Sequence, residues 1–291
     1  MGNMILGAVL NYSYEDIKPW VKSIKALNTD ISIGLIAYNM ASSDVEKLTK
    51  ENVKIFAFKK DNSNNLSFDF YPNFSIMVDR FLHASLFLNE LTDINNIIFT
   101  DIKDVIFQTD PFKYFSNKLI YLGSENLTYE EEPWGKNNIL KSFGPYFYEK
   151  VKNNKIYCAG VIGGTRKALV DLFLNLYLIS KSTIQQVPGG GGPDQAALNI
   201  LISLTPYKDI IQFNSGHDTW VCHAGATIQA IECRNDQVGI ISKSTNKLKL
   251  EENRPKIVNN KICNKKDQIY SIVHQYDRIP EWSNLIKSTY S

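Results

Sequence analysis

Cysteine, histidine and methionine are scarce in this chain, with four of each among 291 residues. The cysteines, Cys158, Cys222, Cys233 and Cys263, form no C-x-x-C pair, which argues against a structural zinc site. Four thiols in a chain this long fit free sulfhydryls in a reducing compartment, and the expected location is cytoplasmic. Two disulfides in a luminal enzyme are the alternative. No apolar run approaches the roughly 18 residues that span a bilayer. The start, Met1-Gly2-Asn3-Met4-Ile5-Leu6, lacks a basic region and a cleavage site, so no signal peptide is expected and any membrane contact would be peripheral. Leu6 stands where a myristoylation signal wants Ser or Thr. Charge of one sign is missing too: 32 basic against 30 acidic residues give a net +2, with no drive toward nucleic acid or anionic membrane. No Gly-Lys-Ser/Thr follows the glycines of Val187-Pro188-Gly189-Gly190-Gly191-Gly192-Pro193, so this loop is no phosphate cradle of the P-loop kind. It reads as a flexible lid.

What is present is ordinary globular material, 44% hydrophobic and 21% charged. Apolar runs at Ile5–Leu10, Ile31–Tyr38, Val53–Phe58 and Ile97–Thr100 read as strands. Between them, Glu15–Leu27, Ser43–Lys50 (with Ser43 as N-cap) and Ile76–Leu91 have helical spacing. This alternation predicts an α/β fold with a mostly parallel central sheet flanked by helices. Further on, strands are expected at Leu119–Gly123, Ile156–Gly163, around Phe213, at Ala226–Glu232, Val238–Ser242 and Ser271–Val273. Helices are expected at Arg166–Ser180 and Asp194–Leu204, and a loop-rich aromatic stretch at Tyr129–Tyr148. No repeat or linker interrupts the pattern, so one domain over residues 1–291 is expected.

The chemistry concentrates at Ile97-Ile98-Phe99-Thr100-Asp101-Ile102-Lys103-Asp104. Two carboxylates end an apolar run, where α/β sheets bind ligands. Burying them is costly unless something compensates, and a divalent cation held by oxygen ligands does so. In a chain without a P-loop, that cation suggests a bound diphosphate. The bland alternative is a turn cap. His274, after another short apolar run, is a candidate third ligand, since neutral imidazole suits Mn²⁺. A hydrogen-bonded core histidine is the competing reading. Arg278 can reach phosphate oxygens or pair with Asp277, and Arg80 can reach a diphosphate or form a helix-surface ion pair. His83 reads as structural, and His217 and His223 have no comparable context. The small residues of Cys158-Ala159-Gly160-Val161-Ile162-Gly163-Gly164 allow a ligand to approach the backbone, with Gly163 the expected point of contact. Asp194 and Gln195 could face a sugar, or Asp194 could serve as an N-cap. Trp134, Trp220, Tyr129 and Tyr146 are candidates for stacking on a sugar face, although most aromatics are core.

Three segments in order resemble metal-dependent glycosyltransferases of the GT-A fold. FTDIKDVIFQTDPF is similar to the TDxRDVxFQxDPF form of their DxD motif. YCAGVIGGTRKAL with PDQAALNIL is similar to their NxGxxxG…DQxxxN segment, and SIVHQYDRIPEW to their VHQYDR segment. The resemblance implies a nucleotide-binding half, 1–115, and an acceptor-side half, 116–291. It implies Mn²⁺ or Mg²⁺ on Asp101, Asp104 and His274, and a UDP- or GDP-sugar donor near Asn11, Tyr12, Arg80, Gly163 and Arg278. Asp194 and Gln195 would face the donor sugar, and the motif order implies retention of configuration. An inverting enzyme would need a carboxylate base, Asp194 first and Asp218 second. Cys158 stands where Asn is frequent, and the glycogenin-like Gly-x-x-Lys is absent, with Arg278 a substitute for its Lys. The implied partners are a nucleotide sugar and a hydroxyl acceptor on a glycan, lipid-linked sugar or protein. The rivals are a nucleotidyltransferase, disfavoured because Leu10–Glu15 is neither Gly-rich nor basic, and a non-catalytic carbohydrate- or nucleotide-binding module.

Overall fold

The computed structural model describes residues 2–58, 74–184, 191–233, 250–252 and 254–290. The expected strand at Val238–Ser242 and most of the glycine loop, 185–190, lie outside these residues.

Strands β1 (Gly2–Leu10), β2 (Ile31–Tyr38), β3 (Val53–Phe58) and β4 (Ile94–Thr100) alternate with helices α1 (Tyr14–Lys25), α2 (Ser42–Lys50) and α3 (Ile76–Glu90). After β4 come the short β5 (Val105–Phe107), β6 (Ile120–Thr128), α4 (Pro133–Val151), β7 (Lys155–Thr165), α5 (Arg166–Lys181), α6 (Asp194–Ile202), α7 (Tyr207–Ile210) and β8 (Ile211–Asn214). β9 (Val221–His223), α8 (Ile228–Cys233), β10 (Lys256–Val258), β11 (Lys261–Cys263), β12 (Ile272–His274) and α9 (Pro280–Tyr290) complete the order. The large sheet runs β3-β2-β1-β4-β7-β6-β8. Its β3 to β4 half is parallel, β7 runs antiparallel to both neighbours, and β6 pairs parallel with β8.

Both faces of β1 are buried, so its sequence reads as an unbroken apolar run rather than an alternating one. Met4 and Leu6 pack with Phe81, Leu88 and Phe173 of α3 and α5 on one face. Ile5 and Val9 pack with Trp20, Val21 and Ile24 of α1 on the other. A second sheet, β5-β12-β9, lies beyond the carboxyl end of β4, with β12 antiparallel to β5 and parallel to β9. It brings residues 221–223 and 272–274 back against the segment that follows β4.

Three local expectations are corrected. Residues 129–148 are mostly helical rather than loop-rich, because Glu132 caps α4 by accepting from Trp134 N at 2.9 Å and from Gly135 N, with Pro133 at the first turn. Gly144 (φ 81°, ψ 175°) and Pro145 then break α4 into two helical stretches, which hid the helical period. Ala226–Glu232 is a 3₁₀ turn followed by α8, not a strand, with the Thr227 hydroxyl accepting from Ala230 N. At α2 the flanking residue is Ala41, and Ser43 lies inside the first turn.

Candidate functional site

β4 delivers Asp101 to the edge of the sheet, and the indole of Trp20 donates to Thr100 Oγ1 at 3.0 Å, fixing the strand end to α1. Asp101 N donates to Gly160 O on β7 at 2.9 Å. A tight turn then carries the chain to Asp104 and β5. That turn is tied to residues beyond β12: the Asp104 carbonyl accepts from Gln275 N at 2.7 Å, and Tyr276 donates its hydroxyl to Lys103 O at 2.9 Å. Gln275, at φ 61°, bends the backbone sharply just after His274. Gly160 completes the packing, since a Cβ there would lie 2.4 Å from His274 Cε1 and 2.8 Å from Asp101 Oδ2.

The three expected ligands therefore converge. His274 Nε2 stands 3.4 Å from Asp101 Oδ2 and 4.0 Å from Asp104 Oδ1. One ligand atom from each residue lies within 4.8 Å of the others. His274 is 1% exposed and its Nε2 has no hydrogen-bond partner, whereas Asp101 keeps 33% of its side chain open. An orphaned imidazole nitrogen facing two carboxylates, reachable from one side, fits a divalent cation of the Mn²⁺ type.

The electrostatics agree with that fit. Burial opposes the Asp101 carboxylate, yet Arg80 and then His274 hold its pKa below the ordinary value. Burial raises the Asp104 pKa, and His274 only partly offsets it, while the Asp101 charge raises it further. Burial works against an imidazolium at His274, but Asp101 and Asp104 outweigh it and its pKa is raised. Asp104 is thus a partly buried carboxylate short of positive charge, the deficit a cation removes.

Arg80 is not a surface residue. It is 5% exposed and its guanidinium bridges Asp101 and, at 2.9 Å, Asp194 Oδ2. Asp194 opens α6 with Pro193 in the flanking position, so its side chain serves Arg80 rather than capping the helix. Burial raises its pKa, against the pull of Arg80. Gln195 donates to Glu125 Oε1 at 3.4 Å and accepts from Ala159 N at 3.4 Å. Arg278 stands 3.9 Å from Asp104 Oδ2 and pairs with Asp277 at 2.7 Å. Asn11, at φ 59°, closes the β1 end through Asn11 N to Tyr38 O at 3.0 Å. Tyr12 beside it is half-buried, its pKa raised by burial and by the charge of Asp104.

Other expected residues lie elsewhere. The Cβ position of Gly163 faces Phe115 and Trp220, not the carboxylates. Asp218 is exposed and accepts from Ser215 N at 2.7 Å, capping a turn. Trp220 and Tyr129 are buried, Trp134 is half-buried, and only Tyr146 of the four stacking candidates is well exposed. His83 bonds Tyr38 in the core, as a structural histidine would, and His217 is exposed.

Sequence reasoning missed His223 and Glu125. His223 lies against His274, with Nδ1 to Nδ1 at 3.0 Å, and Cys158 Sγ lies 3.7 Å from the same His274 nitrogen. These three donor sets cluster within 4.8 Å. Burial, then the neighbouring His274, lowers the His223 pKa to about 3. The one available signal was the echo of WVCH in SIVH, two three-residue strands ending in histidine. Glu125 is 4% exposed, its Oε2 is unpaired, and burial raises its pKa to about 7.

No family model and no curated protein matches the sequence. Among solved structures, the chain is similar to the galactosyltransferase LgtC in complex with donor and acceptor sugar analogs (12% identity, TM-score 0.51, 98% of this chain and 95% of that one). It is similar to an active-site mutant of LgtC at 11% identity and TM-score 0.53, over 98% and 95% of the two chains. It is also similar to the apo-form glycosyltransferase GlyE of Streptococcus pneumoniae TIGR4, at 13% identity and TM-score 0.50, over 100% of this chain and 63% of that one. The chain has the GT-A fold, with its mostly parallel central sheet flanked by helices.

Proposed function

We propose that this chain is a metal-dependent glycosyltransferase that moves a hexose or pentose from a UDP- or GDP-sugar to a hydroxyl acceptor on a glycan, lipid-linked sugar or protein. The observation that carries this reading is the convergence of Asp101, Asp104 and the orphaned Nε2 of His274 at the carboxyl edge of a GT-A sheet. Residues 1–291 form one catalytic domain in this reading, 1–115 holding the nucleotide and 116–291 the acceptor side. Mn²⁺, or Mg²⁺, would be held by Asp101, Asp104 and His274 and would neutralise charge on the departing diphosphate.

The chain's own groups do the rest. Arg278 adds positive charge beside Asp104 for a phosphate oxygen. Asn11 and Tyr12, at the end of β1, would contact base and ribose. Arg80 holds Asp101 and Asp194 in place rather than touching phosphate itself. Asp194 and Gln195 would lie along the donor sugar, their side chains fixed by Arg80 and by Glu125. We favour retention of anomeric configuration. The four cysteines are free, which supports a reducing compartment such as the cytoplasm.

The test is a panel of nucleotide sugars with and without Mn²⁺, following nucleoside diphosphate release by wild type and Asp104→Ala. The expected result is metal-dependent release from one donor, lost in the variant. Absence of both release and metal-dependent nucleotide binding would sink the metal-site reading in favour of a binding module. Pyrophosphate release from a nucleoside triphosphate would point to a nucleotidyltransferase.

A further inference from the structure

The imidazole of His274 has two nitrogens with opposite surroundings. Nε2 faces the carboxylates of Asp101 and Asp104, and Nδ1 faces His223. A neutral imidazole can ligate a cation through Nε2 only when its proton sits on Nδ1. Two carboxylates alone would draw the proton to the wrong side.

His223 supplies the opposing pull. Its Nε2 lies 3.2 Å from the Gly123 carbonyl, which can only accept, so that nitrogen carries a proton. The approach depends on residue 123 being glycine, since a Cβ there would lie 2.9 Å from His223 Nε2. Two Nδ1 atoms 3.0 Å apart share one proton, and His223 already carries its own on Nε2. Its Nδ1 is therefore a bare acceptor, 3.0 Å from His274 Nδ1. The other neighbour of that nitrogen, the Cys158 thiol at 3.7 Å, is a weaker acceptor. The rings meet edge to face, 84° apart, where β9 and β12 pair in register at His223 and His274.

We propose that His223, anchored by the Gly123 carbonyl, is a positioning residue that holds His274 in its Nδ1–H form and so turns the Nε2 lone pair toward Asp101 and Asp104. The inference rests on the metal reading above for its purpose, though not for its geometry. It also explains why a second histidine is buried beside the first.

Two measurements test it. Long-range ¹⁵N–¹H correlation spectra of histidine-labelled, metal-free protein at about pH 9, where neutral imidazoles prevail, read the tautomers directly. His274 is expected as Nδ1–H and His223 as Nε2–H, with His274 switching to Nε2–H in His223→Leu. Mn²⁺ binding, followed by loss of the free-ion EPR signal, is expected to weaken about 10- to 100-fold in His223→Leu. His223→Asn, which places an acceptor oxygen where Nδ1 stands, is expected to recover most of that loss. Nε2–H on His274 in the wild type, or wild-type Mn²⁺ affinity in a folded His223→Leu, would overturn the proposal. Nδ1–H on His274 in a wild type that binds no Mn²⁺ would instead overturn the metal reading and leave the role of His223 standing. Should the Leu variant fail to fold, the wild-type spectrum still decides.

Discussion

Arg80 and Asp194 meet at 2.9 Å across 114 residues of sequence, and the other terminal nitrogen of the guanidinium holds Asp101. One side chain on α3 thus ties the end of β4 to the first turn of α6. Burial lowers the pKa of the guanidinium, but Asp101 and Asp194 more than restore it. Removing one partner of a buried pair strands the other charges, at a cost of about 3–5 kcal/mol. Arg80→Met is expected to lose that much stability in urea denaturation at pH 7. A loss below about 1 kcal/mol, the range of exposed pairs, would show that this network carries little.

Gly160 offers a test confined to the site. Ala at this position puts a methyl against His274 Cε1 and Asp101 Oδ2. The expected stability loss is about 1–3 kcal/mol from overpacking. Mn²⁺ affinity, measured calorimetrically, is expected to fall about tenfold or more as the ligands are pushed apart. Unchanged affinity would place the cation elsewhere.

Glu125 makes stability depend on pH. Burial raises its folded pKa to about 7 from an ordinary 4.5, so the folded chain keeps a proton that the unfolded chain has lost. Stability from this group is full below about pH 4.5 and falls as pH rises to about 7, by up to roughly 3 kcal/mol. Glu125→Gln, neutral at every pH, is expected to flatten this slope and to raise Tm relative to wild type at pH 8. Parallel Tm–pH curves for the two proteins would contradict it.

Tyr276 tests the tie between the carboxylate turn and the segment after β12. Tyr276→Phe removes the bond to Lys103 O and is expected to cost about 1 kcal/mol in urea denaturation. Mn²⁺ affinity is expected to fall by a small factor, because Gln275 N still holds the Asp104 carbonyl. A loss equal to that of Asp104→Ala would mean that the Tyr276 bond alone sets the turn.

The large sheet was legible because β1, β2 and the end of β4 are buried on both faces and read as unbroken apolar runs with helical stretches between. Asp101 and Asp104 stood out because charge ends such a run abruptly. His223 did not, because its meaning comes from a pairing of three-residue strands 51 residues apart, far below the length at which periodicity speaks. Glu125 was hidden in the polar run Ser124-Glu125-Asn126 of β6, and its relation to Gln195 spans 70 residues. Glycines 160 and 163 look alike in sequence. They occupy different positions on β7, one under the carboxylates and the other under Phe115 and Trp220.

The sheet β5-β12-β9 also has a temporal meaning. Lys103 and Tyr276, which lock its two sides together, are 173 residues apart. During synthesis the carboxylates of Asp101 and Asp104 emerge long before either imidazole, and β12 cannot join β5 until residues 272–274 have left the ribosome. A growing chain thus carries two bare acids without the imidazole that meets them in the folded chain. On the proposed metal reading, capture of the cation would be a late event, available only to a polypeptide translated past His274.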